Sequence, residues 1–295
     1  MTEKEVTKHD IELWIKTIAK GEFHYSKVLD GGVNPAAYGK VRKYIHELCH
    51  PRVGEPICES IGRRDGYYRA IEDGIKPINF KNMTTRKDFP VILPFDLRKY
   101  VFIYPGTVIV IAGAKSAGKS GFLYRTIYLN LGKINIRLLS NMEGGQEQMY
   151  DRFKAMGIDL AGYPSLVYPV QANFHDQIKE PNTLYVIDYI DAPDGTDFYL
   201  IGAAIDKVSK KLTKVGNSVA VIGLQKPYNR DIAVGGETTL KTATLYLSMD
   251  SNKLKIHDAK VPADKKLHPK NMQWTFQYDD EGTNFLNIVQ SEEVT

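Results

Sequence analysis

Apolar positions follow two periods along this chain, and the change between them divides it. In the first part the period is helical. Ile11, Trp14, Ile15 and Ile18 stand at i, i+3, i+4 and i+7, which predicts an amphipathic helix over 10–19. A second short helix is expected over 24–29. A third should start at Asn34-Pro35, a capping residue followed by proline, and stop at Pro51. Val41, Tyr44, Ile45 and Leu48 would face inward on it, and Lys40, Arg42 and Lys43 outward. Two short alternating runs, 57–61 and 67–71, flank Gly62-Arg63-Arg64-Asp65-Gly66 and read as a hairpin. From residue 108 onward, unbroken apolar runs take over. Val108-Ile109-Val110-Ile111-Ala112, then 135–140, 183–188 and 219–224, have the character of strands buried on both faces. Helical patterns separate them, over 121–131 with Phe122, Leu123, Ile127 and Leu131 on one side, and over 146–156 with Met149 and Phe153. Near the end, 274–278 and 285–289 alternate as a closing hairpin in which no chemistry is evident. The expected divisions are a small domain at 1–76, a proline-bearing linker at 77–99 and a large domain at 100–295; Ile78, Phe80, Phe89, Ile92 and Phe95 suggest that the linker lies against the large domain or a neighbouring subunit.

Composition narrows the class without deciding it. The chain has 295 residues, 43% of them hydrophobic and 25% charged, with a net charge of +4. That mild basicity permits a polyanionic partner without demanding one. No apolar stretch approaches the ~20 residues of a membrane span. Met1-Thr2-Glu3-Lys4-Glu5 lacks a signal-peptide core, so no membrane association and a cytoplasmic, reducing location are expected. Cys49 and Cys58 cannot build a disulfide framework. With His46 and His50 they invite a zinc reading, but their spacing matches no zinc pattern, and core cysteines are the expectation.

The chemistry starts at Gly113-Ala114-Lys115-Ser116-Ala117-Gly118-Lys119-Ser120, which reads G-x-x-x-x-G-K-S and is followed by Gly121. It stands between a buried strand and a helix, the context in which backbone N–H groups and a helix N-terminus cradle a phosphate. Lys119 would reach the β- and γ-phosphates of ATP, and the Ser120 hydroxyl would ligate Mg²⁺. Asp188 ends a buried strand and would hold the same ion. Glu143 follows another strand, where a carboxylate serves either as the general base for water or as a helix-start acid. Gln225 ends a fourth strand and could sense the γ-phosphate. The segment after it, 226–237, carries Arg230 and Gly235-Gly236 and reads as a flexible basic loop or an ordinary surface loop.

Together, GAKSAGKS, Ser140-Asn141-Met142-Glu143, the 184–191 run Leu-Tyr-Val-Ile-Asp-Tyr-Ile-Asp, Pro105-Gly106-Thr107 and the Gln225 strand resemble the RecA-like core of DnaB-type replicative helicases. The resemblance covers roughly 100–290. It implies an α/β RecA-like P-loop NTPase core with a twisted, mostly parallel sheet, a hexamer or filament with ATP at subunit interfaces, and loops that grip DNA. It makes Glu143 the catalytic glutamate, Asp188 the Walker-B acid and Gln225 the sensor. The segment 226–237 becomes a DNA loop, with 194–198 a weaker candidate. The family supplies Lys-x-Arg from the neighbouring subunit, whereas this chain has Lys260 with Pro262 in the arginine's place. The small domain at 1–76 resembles in layout a winged-helix (α+β) DNA-binding domain, which would put Lys40, Arg42 and Lys43 of the third helix and Arg63 and Arg64 of the wing on DNA. A DNA-dependent, helicase-like ATPase, acting on single- or double-stranded DNA in replication or recombination, is the leading expectation. A recombinase filament of the RecA/RadA kind, an ATP-gated DNA-binding switch and a signalling ATPase with a protein-binding winged helix are the alternatives. Small size with a fused winged helix would suit a virus or mobile element.

Overall fold

In the computed structural model, which describes residues 6–19, 21–31, 33–62, 64–71, 87–191, 198–279 and 282–291, the first helix is set by its cap. Thr7 Oγ1 accepts from the Asp10 N–H at 3.2 Å, and the Thr7 N–H returns a bond to the Asp10 carboxylate at 3.0 Å. The helix, α1 (Lys8–Thr17), buries Ile11, Trp14 and Ile15 as their spacing predicts. The expected second short helix forms as a 3₁₀ helix at Tyr25–Gly31, and a short strand that the pattern does not predict, β1 (Glu22–His24), precedes it. Long-range pairing explains the strand: Phe23 sits edge-on to Trp14 at 5.4 Å and stacks on Tyr68 at 6.0 Å. Asn34 caps a single 3₁₀ turn at Pro35–Ala37 by accepting from the Ala36 N–H at 3.0 Å, and α2 (Tyr38–Cys49) follows. Strands β2 (Cys58–Ser60) and β3 (Tyr67–Ala70) complete a small antiparallel sheet in the order β1–β3–β2. Cys49 and Cys58 lie in this unit's core with their sulfurs 3.0 Å apart. His46 and His50 stack on each other at 4.6 Å, and no group of three or more metal-binding side chains occurs among the described residues.

The chain divides into two compact units, 1–84 and 85–295. In the second unit, residues expected as linker are packed: Phe89, Val91, Leu93, Phe95 and Leu97 are all buried in its core. The rest of that expected linker, up to residue 86, lies outside the described residues.

The second unit is a nine-stranded sheet among the described residues. Its elements follow as β4 (Val108–Gly113), α3 (Lys119–Asn130), β5 (Asn135–Ser140), α4 (Gly145–Ala155), β6 (Val167–Pro169), β7 (Thr183–Ile190), α5 (Tyr199–Val215), β8 (Val219–Gln225), β9 (Ala243–Asp250), β10 (Lys253–Ala259), β11 (Gln273–Tyr278) and β12 (Phe285–Ser291). The spatial order is β12–β11–β10–β9–β4–β8–β7–β5–β6. Strands from β9 to β6 in that order are parallel, and β10 to β12 extend the sheet antiparallel. Alternation within β4 explains the buried runs. Ile109 and Ile111 pack with α3 and α4 residues Phe122, Leu123, Ile127 and Phe153, while Val108, Val110 and Ala112 pack with α5 residues Ile201, Ile205 and Leu212. Both faces are covered, so both must be apolar. No helix among the described residues is long and apolar enough to cross a membrane.

Asn130, fully buried at the end of α3, ties segment 89–97 to that helix. Its Oδ1 accepts from the Ile92 N–H at 2.8 Å, and its Nδ2 donates to the carbonyls of Ile92 and Thr126 at 2.7 Å each. Asn130→Ala strips both Ile92 groups of their partner, and about 1–3 kcal/mol of stability should be lost. Urea unfolding followed by far-UV circular dichroism measures it. An unchanged midpoint would mean that water replaces those bonds at no cost.

Candidate nucleotide site

Parallel register brings the functional side chains to one edge. Gly113 of β4 pairs with Gln225 of β8, and Ser140 of β5 pairs with Asp188 of β7, so the carboxyl ends of these strands share a rim. The chain leaves β4 through a tight loop in which Ser116 and Gly118 take left-handed φ values of 59° and 91°. A Cβ on Gly118 would stand 1.4 Å from the Tyr278 hydroxyl oxygen, so only glycine fits there. Helix α3 then starts at Lys119, and its first-turn N–H groups have no acceptor within the helix. They open onto a cavity of about 810 Å³ lined by the loop, Asn141, Glu143, Asp188, Tyr189, Gln225 and Tyr278.

Opposite charges converge in this cavity. Ser120 Oγ donates to Asp188 Oδ1 at 3.2 Å. Asp188 is only 6% exposed, and burial raises its carboxyl above the ordinary range, against hydrogen bonds from Tyr124 and Ser120 and the charges of Lys119 and Arg152. Burial likewise lowers the Lys119 ammonium, while Asp188 and Glu143 pull it back up. Lys119 Nζ donates to the Ala114 carbonyl at 3.4 Å and stands 5.9 Å from the Tyr189 ring centre. Glu143 is exposed at the cavity, in the turn that leads into α4, with its N–H on Asn141 Oδ1 at 3.2 Å. A hydroxyl and a buried carboxylate form an all-oxygen donor pair, which suits a hard divalent cation such as Mg²⁺. The left-handed loop and open helix N-terminus suit a phosphate.

The other expected residues lie elsewhere. Lys260 follows β10, whose register with β9 puts it at the opposite end of the sheet from Gly113, and its Nζ donates to the Lys241 carbonyl at 2.6 Å. It cannot reach the cavity of its own chain. The 226–237 segment, expected to be flexible, is pinned. Lys226 is buried, with its Nζ on Asp250 at 2.7 Å and on the Arg230 carbonyl at 2.8 Å. Asp231 accepts from Ser248, and Ala233 donates to the Tyr246 hydroxyl. Arg230 remains exposed, and Tyr228 Oη reaches the Lys115 carbonyl at 3.3 Å. Of 194–198, only Phe198 lies among the described residues. In the first unit, Arg42 is engaged with Asp65 at 2.7 Å and stands over Tyr25, Arg64 stands over Tyr67, Lys40 stands over Tyr44, Lys43 is exposed, and Arg63 lies outside the described residues.

Sequence reading missed three groups here. Tyr278, in the hairpin assigned no chemistry, donates to the Ala117 carbonyl at 2.9 Å. Tyr124 and Arg152 also line the cavity. Tyr124 carried a usable signal, since it lies one helical turn beyond Ser120; Tyr278 carried none.

No family model matches this chain, and no curated protein matches it. Among solved structures it is similar to one described as the crystal structure of the RadB recombinase, at 14% identity and a TM-score of 0.45, over 62% of this chain and 90% of that one. The strand order and the phosphate loop carry the description of the fold.

Because the folded protein raises the Asp188 carboxyl, the stability that group contributes is full below the ordinary carboxylate range and is lost as pH rises through the raised value. At neutral pH the buried charge is therefore a cost in the metal-free protein. Asp188→Asn should melt higher than wild type near pH 7.5 without divalent cations, with the gap closing toward about pH 4. Melting curves at several pH values test this, and a lower midpoint for the variant at neutral pH would contradict it.

Proposed function

We propose that this protein is a DNA-dependent ATPase, a helicase-like motor of replication or recombination that works as a hexameric ring or filament. The observation that carries the reading is the Ser120–Asp188 contact at 3.2 Å beside a left-handed phosphate loop, with Glu143 and Gln225 on the same rim. In this reading the loop from Gly113 to Gly121 holds the triphosphate of ATP, and Ser120 and Asp188 hold Mg²⁺. The ion supplies charge neutralisation on the phosphates. Glu143, in contact with solvent, accepts a proton from the attacking water. Lys119 offsets charge developing on the transferred phosphoryl group. Gln225 is one residue from Lys226, whose ion pair with Asp250 anchors the following loop, so a change at the γ-phosphate has a short path to Arg230. Lys260 lies at the sheet end away from its own cavity, which supports a role on a neighbouring subunit's nucleotide.

The first unit supports a winged-helix reading by its order: helix, strand, three helical segments, then two strands with β1 paired to β3. Lys40, Lys43 and Arg64 are then its DNA-facing cations, while Arg42 is held by Asp65. A second reading, an ATP-gated DNA-binding switch, is favoured by Pro262 in the place of the trans arginine. An arginine finger is worth about 10³–10⁵ in turnover, so a lysine alone implies slow hydrolysis.

Hydrolysis of ATP by the full chain, with and without single- and double-stranded DNA at two salt concentrations, separates the readings. Stimulation by single strands, weakened by salt, is the motor's signature. Hydrolysis indifferent to DNA, alongside ATP-dependent duplex binding, assigns the switch. Glu143→Gln should lower turnover by about 10²-fold or more, and Lys119→Ala should lower it as well. If neither change lowers it, the site is wrongly assigned.

A further inference from the structure

Two thiols meet in the core of the first unit, and the nucleotide chemistry uses neither. Cys49 is the last residue of α2 and Cys58 the first of β2. Their sulfurs are hydrogen-bonded at 3.0 Å, and Cys58 Sγ also stands 3.8 Å from the Ile45 carbonyl oxygen. They are the two cysteines of the chain, so each is the other's one intrachain thiol partner. No group of three or more metal-binding side chains holds them among the described residues. A disulfide needs sulfurs about 2 Å apart, so the pair has about 1 Å left to close. The two thiols differ in access: Cys49 is 9% exposed and Cys58 is fully buried. The hydrogen bond from Cys58 also stabilises the Cys49 thiolate, the nucleophilic form, and lowers that thiol from its ordinary value.

We propose that Cys49 and Cys58 are a peroxide-reactive pair that closes reversibly into an intrachain disulfide. The oxidant is hydrogen peroxide. The Cys49 thiolate attacks one peroxide oxygen, the O–O bond breaks, and the second oxygen takes up a proton and leaves as water. Cys49 is then a sulfenic acid. The Cys58 sulfur attacks the Cys49 sulfur, the S–O bond breaks, and the released hydroxide takes the Cys58 proton and leaves as a second water. Two thiols are thereby oxidised and one peroxide is reduced. A small dithiol restores both thiols by exchange. The bond ties the end of α2, the helix that carries Lys40 and Lys43, to the small sheet through β2. No group of the nucleotide site takes part.

The test exposes the folded full-length protein to hydrogen peroxide, then applies thiol titration in denaturant, intact-mass measurement and non-reducing electrophoresis. Both thiols should be lost together, with a mass lower by two hydrogens, no dimer on the gel and full recovery in dithiothreitol. Cys58→Ala should stop at the sulfenic acid, read as a mass higher by one oxygen and trapped by dimedone. Cys49→Ala should keep its remaining thiol at the same peroxide dose, because Cys58 is fully buried. If either variant fails to fold, the wild-type measurement decides alone. Thiols that survive in the native protein and are lost only in urea overturn the proposal, since the pair is then inert core. A disulfide between two chains also overturns it. So does wild-type protein that gains oxygen at Cys49 while Cys58 keeps its thiol.

Discussion

Strands buried on both faces have to run with their neighbours in fixed register, and in the second unit every functional distance depends on that constraint. Six strands, from β9 to β6 in the sheet order, point the same way, with α3 and α4 against one face and α5 against the other. Their hydrogen bonds and their packing leave no freedom to slide. Gly113, Ser140, Asp188 and Gln225 therefore end on one rim, though they are spread over more than a hundred residues of chain. The antiparallel extension adds to this rim, since the hairpin of β11 and β12 sets Tyr278 against the phosphate loop.

On this rigid frame the cavity carries an electrostatic tension. Asp188 and Lys119 are each buried enough that desolvation disfavours their charged forms, yet each offers the other partial compensation. The glycine at 118 serves the same crowded site, because its missing Cβ leaves room for the Tyr278 hydroxyl.

Charge counted along the chain overstates the charge offered to a partner. Lys226 and Arg42 both stand in stretches that read as basic surface. Lys226 is buried on Asp250, where its role is to hold the loop after β8, and Arg42 is neutralised by Asp65. Partners such as Asp250 lie 24 residues away, and no local pattern identifies them.

The phosphate loop, the parallel strands and the acid at the end of β7 were legible in the sequence. Each is local: a loop of fixed spacing, an apolar run whose two faces are both covered, a carboxylate where such a run stops. Helix α1 was legible too, from apolar positions at helical spacing, with an error of about two residues at each end; Ile18, the fourth of those positions, falls past the helix and is exposed. Other features were decided only by the tertiary structure. Strand β1 has no signal in the pattern and forms where Phe23 packs between Trp14 and Tyr68. For 89–97 the apolar residues already pointed to a packed segment, but that they enter the core of their own unit, with Ile92 bonded to Asn130, was set by the sheet and α3. Tyr278 reached the loop at Ala117 across 161 residues. Local backbone preference amounts to a few tenths of a kcal/mol per residue, and burial of one aromatic ring exceeds it several-fold, so where the two disagreed the packing prevailed.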